Sequence, residues 1–314
     1  MATRHHLDWA TAHYSWDNTI AARLTVDSGD TVIVETRDSS DRYYSIDSTH
    51  EDVARKGPLR GHPLTGPIYV RDAQPGDCLV VEVLDVTPRG GFGWTAIRPG
   101  RGLLPAEEFP RHFLQIWDLS NNHTARISQR SDIAIPIEPF PGIIGTALAS
   151  AGAHSTIPPR ENGGNLDCKH LTRGAKLYLP VSVPGALLSV GDAHAAQGDG
   201  EVCITAIEMS ATMTLRVELQ SARAPREPCI QTSGPLCAGT NTKPYFATTA
   251  HGPDLFDCAQ RAVRYLIQHV VREHGLSREE AYVLCSVCAD LKISQIVDAP
   301  NWSVAAFLPE AVFL

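Results

Sequence analysis

The sequence predicts a mainly β protein, built from hairpins arranged as a β-sandwich or a barrel-like sheet, with a small C-terminal α+β part that contains two helices. Short apolar runs, separated by glycine and proline turns, fill the first two thirds of the 314 residues. One of these hairpin patterns occurs twice, which indicates an internal duplication. After Val217 the apolar residues instead recur with a helical period.

This change of pattern divides the chain into three predicted units. An N-terminal β domain covers 1–125, a central β domain covers 126–222, and the α+β part covers 223–314. The proline-rich stretch Arg223–Pro228 has the composition of a connector. A chain of this length buries about three quarters of its surface, so the three units can equally form one body with approximate internal boundaries.

The first predicted hairpin joins two apolar runs near the N-terminus. Leu24–Val26 and Thr31–Thr36 flank the turn Ser28-Gly-Asp30, which has the composition of a tight β-turn. The following segment, Asp38–Leu64, is poor in apolar periodicity. We expect this segment to form a long loop that lies over the functional site.

The duplicated pattern consists of an aromatic-apolar run, a Pro-Gly turn and a second apolar run. Ile68–Val70 and Cys78–Val86 form the first copy, and Leu177–Leu188 repeats it. Between the copies, Thr87–Pro105 is rich in glycine, proline and arginine and is predicted to be a loop. Trp94 in that loop either covers a pocket or caps the edge of the core.

Two helices are predicted in the C-terminal part. Apolar residues from Leu255 onward follow a helical period that ends near Gly275, a typical C-terminal cap. Ser277-Arg-Glu-Glu280 is a capping box, which opens a second helix that continues to about Asp290. A short strand is then predicted at Ile293–Val297, before the stop at Asp298-Ala-Pro300.

The composition excludes several classes of partner. The chain has 27 basic and 35 acidic residues, a net charge of −8, without a run of Lys or Arg. This balance argues against nucleic acid or an anionic membrane as a partner. No stretch approaches the roughly 20 apolar residues that a membrane-spanning helix needs. No signal peptide is visible at the N-terminus, so we expect a cytoplasmic protein. The apolar end Ala305–Leu314 is expected to be exposed, which indicates an interface and therefore a homo-oligomer.

The eight cysteines are predicted to be free thiols, as a cytoplasmic location implies. Cys285-Ser-Val-Cys288 has the spacing of a redox or zinc motif, but it falls inside the second predicted helix and has no partner pair. We interpret this pair as structural. Cys168 follows Asp167 in a polar loop, where an incidental position is favoured over a nucleophilic thiol.

The segment Gly191-Asp-Ala-His-Ala-Ala-Gln-Gly-Asp-Gly-Glu201 carries polar and glycine residues where apolar ones would continue a strand. Asp192 and His194 are two residues apart, so on an extended chain both side chains point to the same side. An aspartate and a histidine on one face are typical of a metal site. Glu201, at the start of a strand predicted over Val202–Glu208, adds a third ligand or a general base. The alternative is a polar hairpin with no function beyond its turn.

Two further clusters accompany this segment. In Gly163-Gly-Asn-Leu-Asp167, Asn165 and Asp167 share a face if the segment is extended. The glycine pair indicates a backbone conformation open mainly to glycine, or one that closely approaches another group. His62 lies next to a proline at the start of a predicted strand. A lone histidine is more often a packed or surface residue, but here it is a candidate ligand.

These motifs resemble the acetamidase/formamidase family, enzymes that hydrolyse short-chain amides to a carboxylate and ammonia. The resemblance extends nearly from end to end. It implies an amide substrate and a hydrolytic site in the polar loops of the β-rich part. The matching segments are His13–Asn18, Ser28–Val32, His62–Pro67, Pro75–Leu79, Phe140–Gly145, Gly163–Asp167, Gly191–Glu201 and Asp290–Asp298.

The predicted mechanism is hydrolysis of the amide with the help of a divalent metal. Each candidate residue has a predicted role in it. His194 and Asp192 are metal ligands, and His62 and Asp167 compete for a third position; Asp167 is otherwise catalytic. A histidine in the ligand set favours Zn²⁺. Glu201 is the candidate general base. The candidates that bind the substrate or its oxyanion are Asn165, Gly163, Gly164 and Gln197.

Three alternatives remain open from the residues alone. A Ca²⁺ site built on Asp192, Asp199 and Glu201 is the first, because calcium prefers oxygen ligands. A site with two carboxylates and no metal is the second. The third is a non-catalytic module that binds a small amide or a cation without turnover.

Overall fold

Strands dominate the computed structural model, which describes residues 2–58, 60–127, 130–234, 236 and 243–314. The predicted mainly-β class is confirmed. Ten strands form from the first half of the chain. They are β1 (Arg4–Leu7), β2 (Ser15–Trp16), β3 (Leu24–Val26), β4 (Thr31–Thr36), β5 (Leu64–Val70), β6 (Cys78–Ile97), β7 (Phe113–Asp118), β8 (Thr124–Ile127), β9 (Arg130–Pro136) and β10 (Phe140–Gly145).

The second half of the described chain contributes nine more strands. They are β11 (His154–Ser155), β12 (Gly163–Asn165), β13 (Lys176–Pro180), β14 (Leu188–His194), β15 (Glu208–Gln220), β16 (Cys229–Gln231), β17 (Tyr245–Gly252), β18 (Asp290–Gln295) and β19 (Trp302–Pro309). The helices are α1 (His50–Arg55), α2 (Leu255–His274) and α3 (Arg278–Cys288), followed by a 3₁₀ turn at Glu310–Val312.

A branched 14-stranded sheet forms the body of the molecule. Its main path runs β12-β10-β14-β15-β6-β7-β8-β9, and β1, β3, β4, β5, β13 and β16 branch from it. A small sheet in the order β17-β19-β18 packs against α2, and one continuous apolar core includes residues of both sheets and of α2 and α3. The predicted division into three domains stays a prediction.

The two copies of the duplicated pattern pair with each other. Strand β5 of the first copy is antiparallel to β14 of the second, and β6 is antiparallel to β13. Each copy therefore bridges two neighbouring strand pairs instead of closing a hairpin on itself. This reciprocal arrangement supports the predicted internal duplication, and it places the end of β14, with its polar motif, inside the sheet.

Three local predictions were wrong because distant pairing overrides the local pattern. Strands β3 and β4 do not form a hairpin: β3 pairs in parallel with β5, and β4 pairs with β1 and β15. The predicted loop at Thr87–Pro105 is strand as far as Ile97, since β6 gains β7 and β15 as partners. The predicted strand Val202–Glu208 is irregular, and β15 begins only at Glu208.

The C-terminal helices form where the sequence predicts them. Helix α2 ends at Gly275 in the left-handed conformation, and its N-cap Asp254 accepts a hydrogen bond from the backbone N–H of Asp257. The capping box of Ser277 and Glu280 opens α3. Asp290 starts β18, directly after α3. Local signals suffice here because capping and periodicity act over a few residues.

The expectation of an exposed apolar C-terminus was wrong. Strand β19 is the central strand of the small sheet, and Ala305, Ala306, Leu308 and Val312 are buried within the chain. Exposed apolar side chains lie instead around the edge strand β18, where Ile293, Ile296 and Val297 are each more than half exposed.

Two observations concern the helices and the cysteines. Among the described residues, no helix combines the length and hydropathy required to traverse a bilayer. The seven cysteines that the structure describes are all free thiols, and Cys285 and Cys288 lie in α3 as predicted. Cys237 falls outside the described residues.

Candidate active site

Three neighbouring strands carry the first functional side chains. Strand β10 pairs with β14 on one side and with β12 on the other, so the polar ends of β12 and β14 face each other across β10. Asp192 and His194 are the end of β14, and Asp167 follows β12 by two residues. The sheet thus brings together residues from the two motifs that the sequence singles out.

Three buried polar atoms converge here without a hydrogen-bond partner: Oδ1 of Asp167, Oδ1 of Asp192 and Nε2 of His194. One ligand atom from each residue lies within 4.8 Å of the other two. His194 Nε2 is 3.6 Å from Asp192 Oδ1, so the predicted convergence of these two residues is confirmed. Orphaned buried polar atoms are costly unless another group satisfies them. This donor set is one that a divalent cation would satisfy.

Left-handed backbone conformations aim the acidic groups of the site. The φ angles of Asp167, Asp192 and Glu201 are 44°, 52° and 43°, values that non-glycine residues rarely adopt. The sequence analysis predicted that strand alternation alone places Asp192 on the same side as His194. The structure differs, because Asp192 has a left-handed backbone conformation. Strain of this kind costs on the order of 1 kcal/mol per residue and concentrates at functional sites.

Gln197 determines which nitrogen of His194 is free. The side-chain Nε2 of Gln197 is 2.6 Å from the backbone carbonyl of Asp167, which can only accept a hydrogen bond. Consequently Oε1 of Gln197 faces His194 Nδ1, at 2.9 Å, and accepts a hydrogen bond from the Nδ1–H group. In the neutral imidazole the lone pair is then on Nε2, directed at the carboxylates. Orientation of a ligand histidine by such a partner is typical of metal sites.

Glu208 is a site residue that the sequence analysis missed. Ligand atoms of His194, Glu201 and Glu208 also lie within 4.8 Å of one another. Glu208 Oε1 is 3.3 Å from His194 Nε2 and accepts a hydrogen bond from the backbone N–H of Ala206. Its Oε2 accepts one of 2.6 Å from the hydroxyl of Ser39. A glutamate that ends an apolar run was the available signal, but it looked like an ordinary strand boundary.

Four carboxyl groups therefore surround one imidazole in a buried space. Burial raises the pKa of Asp167 and of Glu208 to about 7, and burial together with Asp167 raises the pKa of Glu201 well above its usual range. Burial opposes ionisation of Asp192, but His194 and His62 hold its pKa low. Burial also opposes protonation of His194, yet Glu208 and Asp192 raise its pKa. The cluster attracts positive charge, either as protons or as a cation.

Gly142 in β10 has no side chain, and the space that a side chain would fill is occupied by these groups. A β-carbon at this position would lie 2.7 Å from the carbonyl of Asp192, 2.8 Å from Cε1 of His194 and 2.9 Å from Oδ1 of Asp167. Any side chain here would push the cluster apart, since such distances are far below van der Waals contact.

Comparison with known proteins shows the family to which this chain belongs. The model of the acetamidase/formamidase family matches residues 2–151 and 146–314, almost the whole chain. This chain is a member of the acetamidase/formamidase family. The predicted resemblance is confirmed.

Three known proteins are similar to this chain over most of their lengths. The formamidase of Methylophilus methylotrophus is 27% identical, over 96% of this chain and 89% of the relative. A γ-lactamase from Delftia acidovorans has a TM-score of 0.90 at 26% identity, covering 99% of this chain and 93% of that one. An acetamidase from Bacillus halodurans has a TM-score of 0.68 at 31% identity, covering 96% of each chain.

His62 lies at the margin of the site in this acetamidase/formamidase family member. Its Nε2 is 3.9 Å from Asp192 Oδ2, and both its backbone N–H and its Nδ1 contact the hydroxyl of Thr156. Among the described residues it joins neither ligand group, and Asp167 takes the place beside Asp192 and His194 in the first of them. Its assignment as a metal ligand stays a prediction.

The Gly163–Asn165 strand borders the cluster with its backbone. The φ angles of Gly163 and Gly164 are 93° and 84°, which confirms the predicted glycine-only conformation. The backbone N–H of Gly163 donates to the carbonyl of Arg160, and Asn165 Nδ2 donates to the carbonyl of Ile157. Asn165 Oδ1 is buried without a partner. The oxyanion-binding role of these residues stays a prediction.

Two alternatives for the site lose support in this family member. Asp199 directs Oδ2 to Lys169 Nζ at 3.5 Å, away from the ligand groups, so the proposed calcium set is not assembled among the described residues. Cys168 packs against the apolar core, and burial raises the pKa of its thiol, which disfavours a thiolate nucleophile.

Proposed function

We propose that this protein hydrolyses short-chain aliphatic amides to a carboxylate and ammonia at a site that holds a divalent cation, Zn²⁺ in preference to Ca²⁺. Family membership supports the amide hydrolysis. The convergence of the orphaned atoms of Asp167, Asp192 and His194 is the single observation that carries the metal site. Two carboxylates and an imidazole suit zinc, whereas calcium prefers a shell of oxygen atoms alone.

Asp167, Asp192 and His194 would hold the ion, and Gln197 would orient the imidazole. A zinc ion in such a site polarises a carbonyl and makes water acidic enough to attack near neutral pH. The three residues fit because their free donor atoms already point at one another, and because a positive ion offsets the repulsion between the buried carboxylates.

Glu201 is the proposed general base. One of its carboxylate oxygens lies within 4.8 Å of ligand atoms of His194 and Glu208, and burial raises its pKa well above the usual range. A base with a raised pKa takes a proton from the attacking water and returns it to the departing nitrogen efficiently near neutral pH. Glu208, held by Ser39 and the N–H of Ala206, has both oxygens occupied and serves to hold the charge of the site.

Gly163, Gly164, Asn165 and Gln197 are the proposed substrate-binding residues. Gln197 also lines a cavity of about 140 Å³, but the carboxylates of the cluster and Gly163, Gly164 and Asn165 do not, so this cavity does not define the volume of the amide pocket. Discrimination of one methylene is worth about 1–3 kcal/mol, so formamide and acetamide are both expected substrates.

Hydrolysis of a cyclic amide is the second candidate function. The γ-lactamase from Delftia acidovorans matches the fold with a TM-score of 0.90, against 0.68 for the acetamidase from Bacillus halodurans. A γ-lactam has the same amide group, and its ring opens to an amino acid without release of ammonia. The two reactions are therefore distinguished by their products.

The test combines both products with metal analysis. Ammonia release from formamide, acetamide and propionamide is measured beside ring opening of a γ-lactam, before and after treatment with a chelator. Stoichiometric metal, and activity that is lost on its removal and restored by Zn²⁺, would support the proposal. Full activity after complete removal of metal would refute the metal site, and a lactam-only product profile would favour the second function.

A cytoplasmic location and a homo-oligomeric state are also proposed. The free thiols among the described cysteines support a reducing compartment. The exposed residues Ile293, Ile296 and Val297 support a subunit interface. Sedimentation of the purified protein measures the second, and a monomer at micromolar concentration would contradict it.

A further inference from the structure

The C-terminal motif that begins at Asp290 lies against both loops of the site. One loop, Asp167–Lys169, carries the ligand Asp167, and the other, Gln197–Glu201, carries the base Glu201. Asp290 is the first residue of β18 and is 9% exposed, which is low for a carboxylate. Its position between the two loops gives this otherwise unassigned motif a contact with each of them.

Hydrogen bonds join Asp290 to both loops through a single oxygen. Oδ1 accepts from Nζ of Lys169, in the first loop, and from the backbone N–H of Asp199, in the second, at 3.1 Å. Lys169 Nζ is also 3.5 Å from Asp199 Oδ2, and the backbone N–H of Leu291 donates to the carbonyl of Asp199. The ammonium group of Lys169 is thus shared between Asp290 and Asp199.

The backbone of the second loop is pressed against the same segment. The N–H of Gly198 donates to the carbonyl of Ser286 at 2.9 Å. A β-carbon on Gly198 would collide with the carbonyl oxygen of Ala289. The loop that carries Gln197 and Glu201 therefore packs closely against the end of α3 and the start of β18.

We infer that Asp290 is a positioning residue, which fixes the distance between the two site loops through Lys169 and Asp199. The inference rests on the proposed function, because the loops hold a ligand and a base. Asp290 does not touch the ligand atoms. Its removal leaves the fold of the C-terminal part in place but releases the loops from each other, so that Asp167 and Glu201 no longer share one geometry.

The test compares D290A and D290N with E108A. Glu108 accepts a hydrogen bond of 2.7 Å from Nε of Arg264 in α2, so its ion pair also joins the C-terminal part to the β-rich body, but away from the site. Formamide hydrolysis, thermal unfolding and amide hydrogen exchange of the segments around 167–169 and 197–201 are measured for each variant. D290N preserves the shape of the side chain and removes its charge, so it replaces D290A if the latter does not fold.

D290A is expected to lower kcat about tenfold or more with KM changed less than about threefold, as for partners that orient a site. Exchange in the two loops is expected to rise about tenfold, while E108A leaves both readouts unchanged. K169M is expected to reproduce D290A, and the double variant to add little, because both residues act through one network. Unchanged loop exchange in D290A, or an equal rise in E108A, would overturn the inference.

The exchange measurement separates this inference from the proposed function. If the wild-type protein hydrolyses no amide, the proposed function fails, and loop exchange in D290A still decides whether Asp290 holds the loops. If the wild-type protein is active and D290A exchanges like the wild type, the positioning role fails alone.

Discussion

His194 Nδ1 lies 2.9 Å from Oε1 of Gln197, and this contact decides how the imidazole is used. The other end of the Gln197 amide is held by the carbonyl of Asp167, so the amide cannot rotate without losing a hydrogen bond. One side chain therefore links the histidine to the backbone of the loop that carries Asp167. The orientation of His194 consequently depends on Gln197.

The Q197A variant is expected to bind metal about 10–100-fold more weakly, because His194 loses the partner that orients it. The metal dissociation constant is measured by competition with a chromophoric chelator. Q231A is the matched control, since Gln231 accepts an exposed hydrogen bond from the hydroxyl of Tyr178 and belongs to neither ligand group. Equal metal affinity of Q197A and wild type would show that His194 is oriented without Gln197.

The G142A variant is expected to lose metal binding and activity, because its methyl group would overlap the carbonyl of Asp192 and the ring of His194. Overpacking of this kind costs about 1–3 kcal/mol of stability. Metal content and urea unfolding are measured together. G57A is the control, since a β-carbon there meets no atom within 4 Å. A G142A protein with full metal and activity would contradict the geometry described for the cluster.

The E201Q variant is expected to lower kcat by about 10²–10⁴-fold while keeping its metal, because the amide cannot take up the proton of water. Ammonia release and metal content are compared in the same preparation. E208Q serves as the comparison, since Glu208 holds charge in the same space without the proposed role as base. If E201Q remained fully active and E208Q became inactive, the base would be Glu208.

The S39A variant is expected to lose about 1–3 kcal/mol of unfolding free energy, because it leaves Oε2 of the buried Glu208 without a hydrogen-bond donor. It therefore unfolds at a lower urea concentration than the wild type. It also removes one of the links between the Asp38–Leu64 segment and the site, the other being His62 beside Asp192. S48A is the control, as the hydroxyl of Ser48 accepts a hydrogen bond only from the exposed backbone N–H of Ser45. Equal loss in both variants would mean that the contact with Glu208 adds nothing.

Asp30 gives a pH dependence of stability away from the site. Burial opposes its ionisation, but hydrogen bonds from the backbone N–H groups of Asp27 and Thr3, and from His5, lower its pKa from 3.8 to about 2. A carboxyl with a lowered pKa stabilises the fold above pH 3.8 and loses this contribution as the pH falls through about 2.

The wild-type protein is therefore expected to lose about 2 kcal/mol of unfolding free energy, relative to D30N, between pH 4 and pH 2. Urea unfolding of both proteins at several pH values in this range measures the difference. A difference that does not change with pH would show that Asp30 has the same pKa in the folded and unfolded chain.

Much of the secondary structure could be predicted because its signals are local. The end of α2 at Gly275 and the capping box of Ser277 and Glu280 need only the residues beside them. The Asp38–Leu64 segment was harder. It contains α1, and Ser39 donates a hydrogen bond to Glu208, so the segment does contact the site. These two residues are 169 positions apart, and the sequence does not show that they meet.

The sequence alone determined the class of the fold, the family, and the two motifs that carry Asp167, Asp192, His194 and Glu201, because short patterns of polar and glycine residues encode them. Only the tertiary structure decided that Glu208 joins them, that Asp199 turns to Lys169, and that β6 continues through Trp94. The physical reason is common to all three: each depends on which strands and loops become neighbours, and pairing across the sheet is not written in the residues next to each one.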